Sequence, residues 1–187
     1  MKVSRAQVEE NRQRILDNAA QLFRERGFDG IGLNDLMQAA GLTRGGFYGH
    51  FASKDDLAAQ ALAQALASNR EQWRAQPDRS LATWIRGYLS DTHRDEVGQG
   101  CGLAALAADV ARAGPAVREV FTRGVQGLAQ TLTPQMPGGD EGERRAQALA
   151  LLASLVGAVV LARAVDDESL SRELRVAVQA HLPVDVG

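Results

Sequence analysis

The sequence predicts an all-helical fold on three grounds. Long stretches rich in Ala, Leu, Arg, Glu and Gln, all good helix formers, alternate with short breaks that hold Gly or Pro. Within those stretches apolar residues recur three and four apart. Nowhere does a run of alternating β-branched residues point to a strand.

The first segment, about Ser4 to Arg26, sets Val8, Ile15, Ala19, Leu22 and Phe23 at helical spacings and stops at Gly27, a residue suited to the turn past a helix end. A short second helix is expected from Leu33 to Ala40, with Leu36 and Met37 inward and Gly41 as its terminator. Thr43 is the expected N-cap of a third, roughly Arg44 to Phe51. Helices so short and close must share one core. Ser53-Lys-Asp-Asp56 resembles a capping box, and Asp55 and Asp56 also complement the positive end of the next helix. That fourth helix should run to about Gln76, where Pro77-Asp78 breaks it. Further helices are expected over Arg79 to Asp95, Leu103 to Ala113 and Pro115 to Leu132, proline being at ease in a first helical position. Residues Pro134 to Gly142 read as a loop. The last pair, about Glu143 to Val165 and Ser169 to Leu182, includes the apolar run Leu149 to Ala162. That run is too short and too rich in small residues for a membrane span, and Arg163 closes it.

A chain of 187 residues with 45% hydrophobic and 24% charged residues can build one substantial core, or a small domain joined to a larger one. The net charge of −2 supplies no global basic field, so nucleic-acid binding would rest on a local constellation. The single cysteine, Cys101, excludes an internal disulfide framework. With no signal-like N-terminal segment and no uninterrupted apolar run of about twenty residues, the expectation is a cytoplasmic protein without a membrane partner.

The stretch Gly41 to Phe51, GLTRGGFYGHF, is the most informative. At about 100° per residue, Phe47 and Phe51 point one way, while Gly45 and Gly49 lie opposite with Gly46 beside them. Each glycine costs a helix about 1 kcal/mol relative to alanine, so three together need a compensating use. Close approach of the backbone to something large is such a use. Arg44, Tyr48, His50 and Lys54 ring the glycines with donors suited to phosphate. Two short helices joined by Gly41-Leu42-Thr43, the second with a donor-rimmed glycine face, amount to a helix-turn-helix. The competing reading is a packing turn with surface glycines.

Residues Gly32 to Leu57, GLNDLMQAAGLTRGGFYGHFASKDDL, resemble the N-terminal DNA-binding domain of the TetR family of bacterial transcriptional regulators. That family's motif runs through a Gly-[Val/Leu]-[Ser/Thr]-[Lys/Arg]-Gly core to Tyr-x-x-Phe and a following Ser-Lys-[Asp/Glu]. The likeness covers about the first 60 residues. It implies that Thr43, Arg44, Gly45, Gly46, Tyr48, His50 and Lys54 touch DNA, and that Phe47 and Phe51 are core. Gly32 departs from the pattern, standing where many members carry a Ser or Thr N-cap.

The resemblance further implies a helix-turn-helix DNA-binding domain over residues 1–52 and an all-helical ligand-binding and dimerisation domain over 53–187. In such a domain the last two helices of each subunit form a four-helix bundle, and a homodimer sets two recognition helices on a palindromic operator. Ala148, Leu152, Leu155, Val156 and Val159 could bury against the second copy, or line the subunit's own core.

For an effector, Trp73, Trp84, Tyr88, Phe121 and Met136 are the larger apolar groups that could line a pocket for a small hydrophobic ligand. His93 and His181 lack a metal-ligand pattern and read as surface or satisfied polar groups, so neither a metal nor a cofactor is expected. Cys101 lies between glycines at the start of a helix, where the dipole favours an anion and an open backbone admits an electrophile or oxidant. A subset of TetR-type regulators resembles this Gly-Cys stretch. One cysteine, three scattered histidines, no glycine-rich loop after a strand and no His-Glu metal motif argue against an enzyme. The reading is therefore a ligand- or stress-responsive repressor released by a small molecule or thiol modification, with a helical interaction adaptor as the alternative.

Overall fold

Helix α1 (Arg5–Arg26) starts because Ser4 Oγ accepts the Gln7 N–H, and stops where Gly27 turns at φ 74°. The computed structural model describes residues 4–75, 78 and 80–182, and every regular element among them is a helix. After α1 come α2 (Leu33–Ala39), a 3-10 turn (Arg44–Gly49), and α3 (Lys54–Ala75). Then follow α4 (Leu81–Tyr88), α5 (Asp91–Asp95), α6 (Gly102–Val110), α7 (Pro115–Leu132), α8 (Glu141–Ala164) and α9 (Glu168–Ala180). Gln76, Pro77 and Arg79, named in the expected break after α3, lie outside the described residues.

Three expectations need correction. The segment after Thr43 is a tightened 3-10 helix rather than an α-helix, and Thr43 makes no side-chain cap there. Glycines cost an α-helix most, which leaves the tighter turn competitive over so short a stretch. The helix expected over Arg79 to Asp95 is two, because Ser90 restarts it: Ser90 Oγ donates to Gly87 O at 2.8 Å and accepts the His93 N–H at 3.2 Å. The last loop is also shorter than expected. Asp140 and Glu143 form a reciprocal capping box that starts α8 at Glu141.

The interior has two apolar clusters. One joins α1, α2, the 3-10 turn and the first half of α3 around Phe23, Met37, Phe47 and Leu57, and it takes in Leu106, Val110 and Val117 from α6 and α7. The other gathers α4, the start of α6, the end of α7 and α8 around Ile85, Leu103, Leu132 and Leu155. Leu66 and Phe121 pack against both, so apolar packing runs continuously across residues 52 and 53.

Helix α8, at 24 residues, has the length and apolar composition to cross a membrane, yet it buries Ala148, Leu151, Leu152, Leu155, Ala158, Val159 and Ala162 within the chain. The sequence leaves Leu152, Leu155 and Val159 to meet a second copy or to line the subunit's own core; the structure buries them in that core, with Val156 packed at its edge. The exposed apolar residues of this end are instead Leu149, Val160 and Leu161 on α8, with Leu170 and Val176 on α9. A helix apolar on most sides offers two burial faces, and periodicity alone does not say which one folds inward.

Candidate nucleic-acid interface and effector cavity

The glycine-rich turn is built on two rings. Phe47 and Phe51 are fully buried with centroids 5.8 Å apart, and the Arg12 guanidinium sits 4.9 Å above Phe51 while hydrogen-bonded to Gln60. This ties α1 to α3 beneath the turn. Gly41 takes φ 71°, a left-handed conformation that lets the chain reverse between α2 and the turn. Gly45 and Gly49 have no such need: a Cβ at either would meet nothing within 4 Å. At Gly46 a Cβ would make only an ordinary contact, 3.8 Å from Met37 Cε. The chain's own packing therefore does not require these three glycines.

Around that bare face the structure brings together the residues expected to touch DNA. Thr43 and Arg44 are exposed, and Tyr48 projects outward at 72% exposure with its ring edge-on to Phe47 at 5.2 Å. His50 and Lys54 are half-buried at the margin, and His50 Nδ1 has no hydrogen-bond partner among the described residues. Asp56 faces away from this rim: its carboxylate accepts the Ala52 N–H at 3.0 Å and a Gln60 amide hydrogen at 2.7 Å, which hold it below the usual carboxylate range.

A cavity of about 590 Å³ opens between α3, α4, α5, α6 and α7. One wall is a chain of tilted rings, Trp73 to Trp84 at 5.8 Å, Trp84 to Tyr88 at 5.4 Å and Tyr88 to His93 at 4.5 Å between centroids. Cys101, 8% exposed, is the N-cap residue of α6 and is among the residues that line the cavity. Of the effector residues expected from sequence, Trp84, Tyr88 and Cys101 line the cavity, as does Trp73. Phe121 is not on its wall: it is wedged between the two apolar clusters, and Met136 is buried in the second.

His93 is satisfied, as the sequence suggested, but it belongs to the cavity wall. Its Nε2 accepts the Cys101 backbone N–H at 2.9 Å, so Nδ1 carries the proton donated to the Tyr88 carbonyl at 2.6 Å. Burial holds its pKa below the ordinary histidine value, with the nearby Arg163 charge acting the same way against the Tyr88 carbonyl. Burial, reinforced by the neighbouring Cys101 thiol, pushes the Tyr88 hydroxyl well above the usual tyrosine range. His181 is separate, on the surface, with Nδ1 bonded to the Ala177 carbonyl at 2.8 Å.

Two arginines that sequence reasoning passed over connect this cavity to its surroundings. Arg163 on α8 donates to His93 O at 2.6 Å and Arg94 O at 2.9 Å. Arg24 on α1 donates through Nε to Gly98 O at 2.8 Å, joining the first helix to the turn that leads into Cys101. A Cβ at Gly98 would press on the Glu25 and Gln21 side chains, which would have to shift. No local pattern in the sequence marks these bonds, which join residues 69 to 74 positions apart. Among the described residues, no three His, Cys, Asp or Glu side chains converge as a metal site.

Residues 15–61 match the model of a family described as bacterial regulatory proteins, tetR family. The chain is similar to the HTH-type transcriptional repressor NemR of Escherichia coli (strain K12), 28% identical over 172 residues that cover 82% of this chain and 84% of the relative. It is also similar to the HTH-type transcriptional repressor DhaR of Mycobacterium sp. (strain GP1), 27% identical over 60% of this chain and 58% of that one. The fold overlays the crystal structure of the reduced form of E. coli NemR with a TM-score of 0.76 at 23% identity, covering 92% and 94% of the two chains. A TetR regulator from Chloroflexus aurantiacus overlays with a TM-score of 0.75 at 25% identity, again over 92% and 94%.

Proposed function

Because the chain belongs to the TetR family of DNA-binding transcriptional regulators, we propose that it is a cytoplasmic repressor. It binds a palindromic operator as a homodimer and lets go when the cavity is filled or Cys101 is modified. One observation carries the DNA-binding part: a glycine face that the chain's own packing does not use, ringed by exposed Thr43, Arg44 and Tyr48 with His50 and Lys54 at its edge. Bare backbone and a rim of donors suit a major groove, where backbone approach brings Tyr48 and Lys54 to phosphates and Arg44 to a base edge.

On this reading residues 1–52 form the DNA-binding unit and residues 53–187 the effector and dimerisation unit, joined through α3. The dimer forms through the outer apolar face of α8 and α9, where Leu149, Val160, Leu161, Leu170 and Val176 are exposed. Release through Cys101 is supported by its place on the cavity wall and by its bond to His93, which is in turn held by Arg163 of α8. An adduct on the thiol displaces those neighbours and reaches both the dimer helices and, through Gly98 and Arg24, α1.

The experiment is a fluorescence-anisotropy titration of DNA from the gene's own upstream region, repeated at several salt concentrations. Specific binding that weakens steeply with salt is expected. Binding no tighter than to unrelated DNA overturns the proposal in favour of the adaptor reading. Side-by-side exposure of the complexes of wild type and Cys101→Ser to an electrophile then tests the thiol route; equal release by both removes it and leaves the cavity as the effector site.

A further inference from the structure

The glycine-rich turn has little of its own to hold it in shape. Thr43 gives it no side-chain cap, and nothing meets the Gly45 and Gly49 positions. Glycine loses more backbone freedom on ordering than any other residue, so a short turn with three of them needs support from outside. Two anchors reach inward, Phe47 and Phe51, and the Phe51 N–H donates to Phe47 O at 3.0 Å. After Phe51 the chain passes through Ala52 and Ser53 to Lys54, the first residue of α3. What holds Phe51 therefore sets the angle between turn and helix.

Arg12 of α1 holds it. Its guanidinium stands 4.9 Å from the centroid of the Phe51 ring and donates through Nη2 to Gln60 Oε1. Gln60 uses its amide hydrogen to donate to Asp56 Oδ1 at 2.7 Å, and Asp56 Oδ2 accepts the Ala52 N–H at 3.0 Å. Ala52 follows Phe51 in the chain, so the contacts close into a ring that runs Phe51, Arg12, Gln60, Asp56, Ala52. Four of its members lie within ten residues of one another; Arg12 comes from 48 positions before Gln60. Arg12 is in no ion pair among the described residues, so its charge acts on the ring face and the amide oxygen rather than on a carboxylate. An apolar side chain could cover Phe51, but a cation adds direction, because the ring face and the oxygen together fix where it stands.

We propose that Arg12 is a positioning residue for DNA binding: through Phe51 and Gln60 it fixes the angle at which α3 presents the glycine-rich turn and Lys54 to the groove. The role rests on the reading that this turn meets DNA, and it gives Arg12 itself no contact with DNA. A turn freed from this angle still reaches phosphates in many poses but meets base edges in few. Specific binding is then lost before non-specific binding.

The test compares the full chain as wild type, Arg12→Met and Arg12→Lys. Met keeps an aliphatic reach over Phe51 and removes the charge and the donors. Among the described residues Arg12 donates one hydrogen bond, so a Lys ammonium can restore both of its contacts. Hydrogen exchange over residues 44–54 is read first, without DNA. Arg12→Met is expected to speed it about tenfold with the thermal midpoint nearly unchanged, and Arg12→Lys to stay close to wild type. Anisotropy then gives the affinity for the gene's own upstream DNA and for unrelated DNA at several salt concentrations. Arg12→Met is expected to lose about tenfold on the upstream DNA, to bind unrelated DNA as wild type does and to keep the salt slope, with most of the loss recovered by Arg12→Lys.

Unchanged upstream-DNA affinity in Arg12→Met overturns the proposal, as does a Lys variant no better than the Met variant. A salt slope lower by about 1, with equal loss on both DNAs, makes Arg12 a phosphate contact and overturns it too. If Arg12→Met lowers the thermal midpoint, Gln60→Leu decides, since it opens the ring and leaves Arg12 over Phe51; unchanged exchange and unchanged specific affinity in that variant overturn the proposal. The two levels separate in the wild type. A wild-type chain that does not distinguish upstream from unrelated DNA defeats the DNA-binding reading and the positioning role with it, whereas specific wild-type binding that Arg12→Met leaves intact defeats the positioning role alone.

Discussion

Gly45 and Gly49 hold the clearest residue-scale information, because the space beside them is empty. A side chain added there is tolerated by the fold and improves helix propensity by up to about 1 kcal/mol. Gly49→Leu is therefore expected to leave the thermal midpoint unchanged or raised while weakening operator binding. Tighter DNA binding by this variant contradicts the close-approach argument. Tyr48→Ala, at a residue that leans on Phe47 but is mostly exposed, is expected to weaken binding to all sequences alike and to lower the salt slope by about 1. Arg44→Ala is expected to relax sequence preference too; equal loss on operator and non-operator DNA shows that Arg44 reaches only phosphate. The turn was legible in the sequence because its face is set by spacing within eleven residues. Its 3-10 winding was not, since that balance rests on the two phenylalanines being gripped from below by α1 and α3.

At the scale of the element, α8 divides into a face already in use and a face still free. Leu155→Glu puts a charge into the second core and is expected to prevent stable folding, a loss of several kcal/mol. Leu161→Glu, at a residue 52% exposed, is expected to leave the thermal midpoint nearly unchanged and to produce monomers with little operator affinity, as read by sedimentation. A dimer that survives Leu161→Glu puts the interface elsewhere. The start of α8 depends on Asp140, whose carboxylate accepts the Glu143 N–H at 2.9 Å. The short α5 is anchored on α9: Arg94 reaches Glu168 at 2.8 Å, and Arg175, 5% exposed, donates to Asp91 at 2.6 Å and to Leu89 O, just before α5, at 2.8 Å. These links fasten one wall of the cavity to α9.

Over the whole molecule, the proposed release needs a link between the cavity and the DNA-binding end, and polar bonds between the clusters offer one. Arg24 to Gly98 is the bond that joins α1 to the approach of Cys101. Arg24→Met keeps the length of the side chain and removes the donors, and is expected to preserve operator affinity within a few-fold while reducing release by an effector. Unchanged release takes the coupling away from this bond. Acid acts through His93. Its folded-state pKa lies below the ordinary value of 6.5, so on acidification the unfolded chain takes up the proton first and the native state loses stability. The His93 contribution is complete above about 6.5 and is lost as the pH falls from there toward the depressed folded-state value, where a proton on Nε2 would face the Cys101 N–H instead of accepting from it. Urea midpoints measured over that window are expected to fall more steeply for wild type than for His93→Asn; parallel curves remove His93 as the source.

What the sequence determined by itself was local. Helix formers, caps and breaks within a few residues of one another placed most helices within two or three residues of their ends, and the spacing in Gly41 to Phe51 separated a buried face from a bare one. Tertiary structure decided where two local choices were nearly equal, or where the parts lay far apart. α8 is apolar on two sides, and only packing chose which side carries Leu152, Leu155 and Val159 inward. Ser90 can continue a helix or cap the next, and in the fold it caps α5, which arginines from α8 and α9 hold in place. The cavity joins Asn69, Trp73, Trp84, Tyr88, His93 and Cys101 from four stretches of backbone. Periodicity gives each of these residues a direction within its own element, but the meeting of those directions depends on how the helices cross, which long-range burial alone sets.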